Sequence, residues 1–105
     1  MLDALGREIR VGDYIVYLPN TRNVVKFLFG RVVALSLTQR DSWTDEMKTY
    51  SGVIVHGVRE WFGTVRLNRK SGLLGSPDRC IVVDSIPKEY KELLDTVEVK
   101  DDNDN

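Results

Sequence analysis

The sequence predicts a mainly β protein: a small barrel of five short strands followed by one short C-terminal helix. Three observations carry that prediction. β-branched and aromatic runs recur at 14–18, 27–38, 52–58, 63–67 and 79–83, and such residues fit a pleated, half-buried surface. Turn formers separate the runs roughly every ten residues, the rhythm of small all-β folds. From Ser85 onward the apolar spacing becomes helical, with Ile86, Tyr90, Leu93 and Leu94 on one stripe.

In chain order, Met1 to Arg10 is a lead-in, with Gly6 to Ile9 as a short edge strand or a turn. Gly12-Asp13 is a turn, because glycine tolerates positive φ and aspartate bonds nearby backbone. The first strand follows, and Pro19 to Asn23 forms a polar loop that ends it. The second strand has Gly30 near its start, at a bulge or bend. Its alternation sets Val32, Ala34 and Ser36 on one face and Val33, Leu35 and Leu37 on the other.

Gln39 to Ser51 breaks the pattern. Trp43, Met47 and Tyr50 are spaced as on a helix face, so the stretch reads equally as one helical turn or as a long ordered hairpin loop. The third strand is Gly52 to Val58 and the fourth Gly63 to Leu67, with Arg59 to Phe62 a continuation or a turn between them. Asn68 to Asp78 is a loop containing Gly72, Gly75 and Pro77, and Arg79 to Val83 is the closing strand. A helix at about 86–95 with Ser85 as N-cap would close one end of the barrel. Val97 to Val99 is a candidate short strand. One domain is expected over 1–99, and residues 100–105, too polar to pack, are expected to form a disordered acidic tail.

Composition narrows the function classes. The apolar fraction is 42% and the charged fraction 30%, ordinary for a soluble globular chain. There is no apolar run long enough to span a bilayer and no signal-peptide pattern at the start. One cysteine, Cys80, cannot form an internal disulfide, and with one histidine it cannot build a structural zinc site. A cytoplasmic location is expected. The net charge of −1 divides into +3 over 1–84 and −4 over 85–105, a mildly basic body far from a strongly basic nucleic-acid-binding domain.

Val11-Gly12-Asp13-Tyr14-Ile15 and Gly30-Arg31-Val32-Val33 resemble the KOW and SH3-like barrel families. In those families hydrophobic-Gly-Asp-x-Val opens the first strand and Gly-Arg/Lys-Val-Val the second. More narrowly, Leu5 to Asp13 together with the closing strand Arg79 to Val83 resembles small phage-encoded proteins that begin Leu-Gly-x-x-hydrophobic-x-Val-Gly-Asp. The resemblance covers residues 5–38 and 79–84. It implies an SH3-like barrel and, from the KOW side, a nucleic-acid-binding role. The expected function is a non-enzymatic binding module, either an inhibitor or adaptor of a host protein anchored by Trp43, Trp61 and Phe62 or that KOW-like nucleic-acid-binding domain. Gln39 to Ser51 and the helix after Ser85 are additions to the minimal KOW pattern.

Catalytic chemistry has little to stand on. His56 shares a strand face with Ile54 and Val58 and has no partner nearby in sequence to act with as a general base. A Cys80–His56 pair would need an activated thiolate. Asp41, Asp45 and Glu46 match no calcium-loop spacing and read as a solvated acidic loop. Gly72-Leu73-Leu74-Gly75 lacks phosphate-loop spacing and reads as a flexible loop. No catalytic residue, metal or cofactor is expected.

The candidate binding surface is Arg59 to Lys70, where Arg59, Arg66, Arg69 and Lys70 interleave with Trp61 and Phe62. Such a pattern suits a protein interface or single-stranded nucleic acid. Arg22 and Lys26 on the first loop would extend it, and Trp43 is a further anchor. Counting back from Val65 and Leu67 puts Trp61 in the core and Phe62 outside beside the arginines.

Overall fold

The computed structural model describes residues 1–19 and 27–99, with Trp61 described by its backbone alone. Six strands form in chain order: β1 (Tyr14–Tyr17), β2 (Leu28–Arg40), β3 (Met47–Trp61), β4 (Thr64–Leu67), β5 (Gly72–Leu73) and β6 (Cys80–Val83). A 3-10 turn at Pro77–Arg79 precedes β6, and among the described residues one α-helix, α1 (Lys88–Leu94), follows it. All pairings are antiparallel, in the order β4-β3-β2-β1-β6, with β5 also on β3.

The sheet is open, which corrects the expected closed barrel. The last strand lies beside β1, as a barrel needs, but its outer edge is occupied by the N-terminal turn. Ala4 N–H donates to the Cys80 carbonyl at 2.9 Å, and Val82 N–H donates to Asp3 Oδ2 at 2.8 Å. Arg7 Nη1 donates to the Val82 carbonyl at 3.0 Å. With those groups satisfied, β6 has nothing left with which to pair β4 or β5, and an exposed edge is blunted at the same time.

Most of the chain from Gln39 to Ser51 is strand; a single helical turn is confined to its tip, where Asp45 N–H donates to the Asp41 carbonyl at 2.8 Å. β2 and β3 run on to Arg40 and Met47 as a two-stranded ribbon, closed where Asp41 N–H meets the Glu46 carbonyl at 2.8 Å. The hairpin-loop reading therefore survives only for its tip. Gly72-Leu73-Leu74 is likewise no flexible loop: β5 pairs with β3, Leu74 N–H donates to the Val53 carbonyl at 2.8 Å, and the Leu74 side chain is buried.

Two shifts in the β2–β3 register, between Val32 and Ala34 and between Ala34 and Ser36, overturn the expected alternation of β2. Val32 and Leu35 pack in one cluster with Ile9, Ile15, Tyr17, Val53, Val55, Leu74, Cys80 and Val82. Val33, Ala34 and Leu37 pack with Ile54 on the other face. An extra residue in one strand resets the two-residue period and bends it. Gly30 lies outside these shifts. It sits opposite Gly57, and a Cβ there would meet Val55 Cγ1 at 2.7 Å and Tyr17 Cε1 at 2.9 Å, so the glycine makes room for the Tyr17 ring.

The helix covers the β3–β4 part of the sheet. Ile86 and Leu94 are buried with Val58, and Tyr90 and Leu93 add to the contact with Val65 and Leu67. Its N-cap is Pro87, with no side-chain cap, so Ser85 does not have the capping role expected of it. Tyr14 and Arg31 tie down the other end. The Tyr14 hydroxyl bonds Asp95, and Arg31 lies 5.5 Å from the Tyr14 ring centre while Nη1 reaches the Leu94 carbonyl at 3.4 Å. Val97 to Val99 forms no strand, although Val97 packs against both clusters of that face. The acidic tail, residues 100–105, lies outside the described residues.

Candidate functional site

The end of the β3–β4 hairpin brings part of the sequence-derived surface together. Arg59 and Arg66 are direct cross-strand partners, as are Trp61 and Thr64. Phe62 and Gly63 connect the strands as a two-residue turn, with φ of +48° and +78°. Arg59, Phe62, Thr64 and Arg66 line one open hollow of about 570 Å³, within the size range of small-ligand sites. Phe62 is 91% exposed.

Phe62 is outside, as expected, but for a different reason. It belongs to the turn, so the count back from Val65 ran through residues that are not strand. The register places Trp61 opposite Thr64 rather than in phase with Val65 and Leu67. The expected burial of the Trp61 side chain lies outside the described residues. Val65 and Leu67 do face the helix and Thr64 and Arg66 are exposed. Glu60, between Arg59 and Trp61, pairs with Val65 on the helix side, and its charge helps burial push the Tyr90 phenol up. It therefore does not neutralise Arg59.

The other predicted residues scatter. Lys70 lines a second hollow of about 350 Å³ with Tyr17, Pro19, Val55 and Leu74 among its neighbours. Arg69 is exposed on the loop after β4. Trp43 stands at the tip of the β2–β3 ribbon, 94% exposed. Arg22 and Lys26 lie outside the described residues.

The ribbon tip is ordered by its own polar groups. Asp41 Oδ1 accepts from Trp43 N–H at 2.8 Å, Asp41 Oδ2 meets Lys48 Nζ at 2.6 Å, and Arg40 Nη1 meets Asp45 at 2.9 Å. The Lys48 ammonium, with the Trp43 and Thr44 amides, holds the Asp41 carboxyl below its ordinary value. The acidic residues of this loop are thus mostly committed to neighbouring cations, and among the described residues no cluster of three metal-type side chains forms.

His56 and Cys80 have structural partners. His56 Nε2 lies 2.6 Å from the Asn68 carbonyl oxygen, which can only accept, so Nε2 carries the proton and clamps the loop after β4. Cys80 is buried and its Sγ–H points to the Pro77 carbonyl at 3.3 Å. Burial, with the nearby Asp3 carboxylate, pushes the thiol up to about 11, the opposite of an activated nucleophile.

Sequence reasoning missed Asp3. Its side chain is buried, yet three backbone N–H groups point at it: Leu5 at 2.9 Å, Arg7 at 2.8 Å and Val82 at 2.8 Å. Burial alone would raise its carboxyl; those three bonds and the Arg7 charge outweigh it and hold the group below its ordinary value. The first two bonds have a local signal, an aspartate two and four residues ahead of its donors in a turn.

Fold and site together define a mainly β protein with an open six-stranded sheet, in which the β2–β3 and β3–β4 hairpin ends each present an exposed aromatic side chain. Compared with protein-family models, curated proteins and solved structures, the chain matches none.

Proposed function

We propose that this chain is a non-catalytic binding module of the phage type, acting in the host cytoplasm as an inhibitor or adaptor of a host protein. The strand order, a four-strand meander with the last strand returning beside β1, supports reading it as an SH3-like arrangement that stays open. The observation that carries the proposal is the presentation of Phe62 and Trp43, 91% and 94% exposed, on two ordered hairpin ends. Large aromatics held out by a rigid turn are costly to hydrate and lose little conformational freedom on binding, which makes them typical anchors of protein interfaces.

Tagged protein incubated with nuclease-treated bacterial lysate is expected to retain a partner that is missing when the bait carries Phe62→Ala or Trp43→Ala. A second reading, nucleic-acid binding, is favoured by the exposed Arg59, Arg66, Arg69 and Lys70. It predicts the reverse: capture that nuclease abolishes, and affinity that falls steeply between about 50 and 200 mM salt as phosphate counterions are released. Retention unaffected by either aromatic substitution would sink the protein-binding reading.

A further inference from the structure

The β3–β4 hairpin end carries two locally unfavourable choices. A two-residue hairpin turn with positive φ at both central residues suits Asn-Gly or Asp-Gly. Here the first of them is Phe62, at φ +48°. A bulky residue in the left-handed region is an outlier, since its Cβ crowds the following carbonyl. The second choice is Arg59 opposite Arg66. Like charges directly opposed across two strands destabilise the pair, and among the described residues neither arginine forms an ion pair or side-chain hydrogen bond. The nearest carboxylate in sequence, Glu60, is on the helix side with Tyr90. Strain and uncompensated charge held at one solvent-facing hollow are the marks of a site shaped for something that binds there.

The geometry points to an acidic peptide segment of a partner protein as the occupant of this hollow: carboxylates on the Arg59 and Arg66 guanidiniums, and an apolar side chain against Phe62. Guanidinium forks match carboxylates bidentately, and the hollow of about 570 Å³ holds a few side chains. Two arginines share it, Lys70 lines a different hollow, and the chain carries a net charge of −1. That favours a short acidic peptide over a polyanion, which needs a continuous basic track. This inference rests on the protein-binding reading and specifies the chemistry of its partner.

The test uses the whole chain and fluorescein-labelled octaglutamate, followed by anisotropy, with an oligothymidylate of similar length as comparison. Wild-type protein is expected to bind octaglutamate at least about tenfold more tightly than Arg66→Gln, while Phe62→Asn, which leaves both guanidiniums in place, is expected to bind it within about twofold of wild type. Both variants are expected to melt higher than wild type, Phe62→Asn by about 4 °C, since each relieves a local conflict. No octaglutamate binding by wild type, binding untouched by Arg66→Gln, or a lower melting temperature in both would overturn the inference. Tighter binding of the oligothymidylate would overturn it in favour of nucleic acid. Octaglutamate needs no lysate partner, so the two readings fail separately. A lysate partner that depends on Phe62 while octaglutamate does not bind removes the acidic class alone.

Discussion

At the scale of single residues, Asp3 joins two ends of the chain. Its Oδ1 organises the turn from Asp3 to Arg7, and its Oδ2 accepts from Val82 in the last strand. Asparagine at this position would turn an NH2 group toward at least one of those donors. Asp3→Asn is therefore expected to lower stability by about 2–3 kcal/mol near neutral pH, the usual effect of leaving a buried donor unsatisfied. The pH dependence has a definite sign. The folded carboxyl sits below its ordinary value of 3.8, so its contribution is complete above 3.8 and fades as pH falls through the lowered folded value. Urea denaturation of both proteins at several pH values would show a gap that is constant above about pH 5 and narrows in acid. A gap that widens in acid contradicts this account.

At the scale of elements, a pair of glycines lets three strands approach. Gly30 and Gly57 face each other in the β2–β3 register, and the Tyr17 ring of β1 lies across them. A Cβ on Gly57 would collide with the Tyr17 hydroxyl and come within 3.1 Å of Tyr17 Cζ. Gly57→Ala should cost about 1–3 kcal/mol, the range for overpacking a filled site. Adding Tyr17→Phe removes the hydroxyl, so the double variant is expected to be more stable than the sum of the two single effects predicts. Strict additivity in thermal melts would mean that the glycine is there for another reason. The sequence shows a glycine in each strand, and it shows neither that they pair nor which ring they admit.

For the whole molecule, the helix and the sheet depend on each other. α1 has seven residues, too few to persist alone in water. It is held by Leu94 and Ile86, the first fully buried and the second nearly so, against Val58 and its neighbours. Leu94→Ala is expected to cost about 2–5 kcal/mol, as large-to-small core changes do. The loss should appear as one shifted cooperative transition in both helix and sheet signals. A change below about 1 kcal/mol, or a helix that melts separately, would show that α1 is not part of the core.

The strand runs and the terminal helix follow from residue type and local spacing, because β-branched runs, turn residues and helical stripes act over a few positions. Trp43 and the Arg59 to Lys70 stretch were also legible as candidates on composition alone. What only the tertiary structure decided is where long-range partners meet. Asp3 bonds Val82 across 79 positions of the chain, and that contact occupies the edge a closed barrel would have used. The register shifts between β2 and β3 reset the alternation, and the turn at Phe62 and Gly63 breaks the count that would otherwise run through Trp61. Lys70 faces a different hollow from Arg59 and Arg66. In each case local spacing sets the period of an element, while register, an extra residue or a turn sets its phase, and phase decides which side chains share a face.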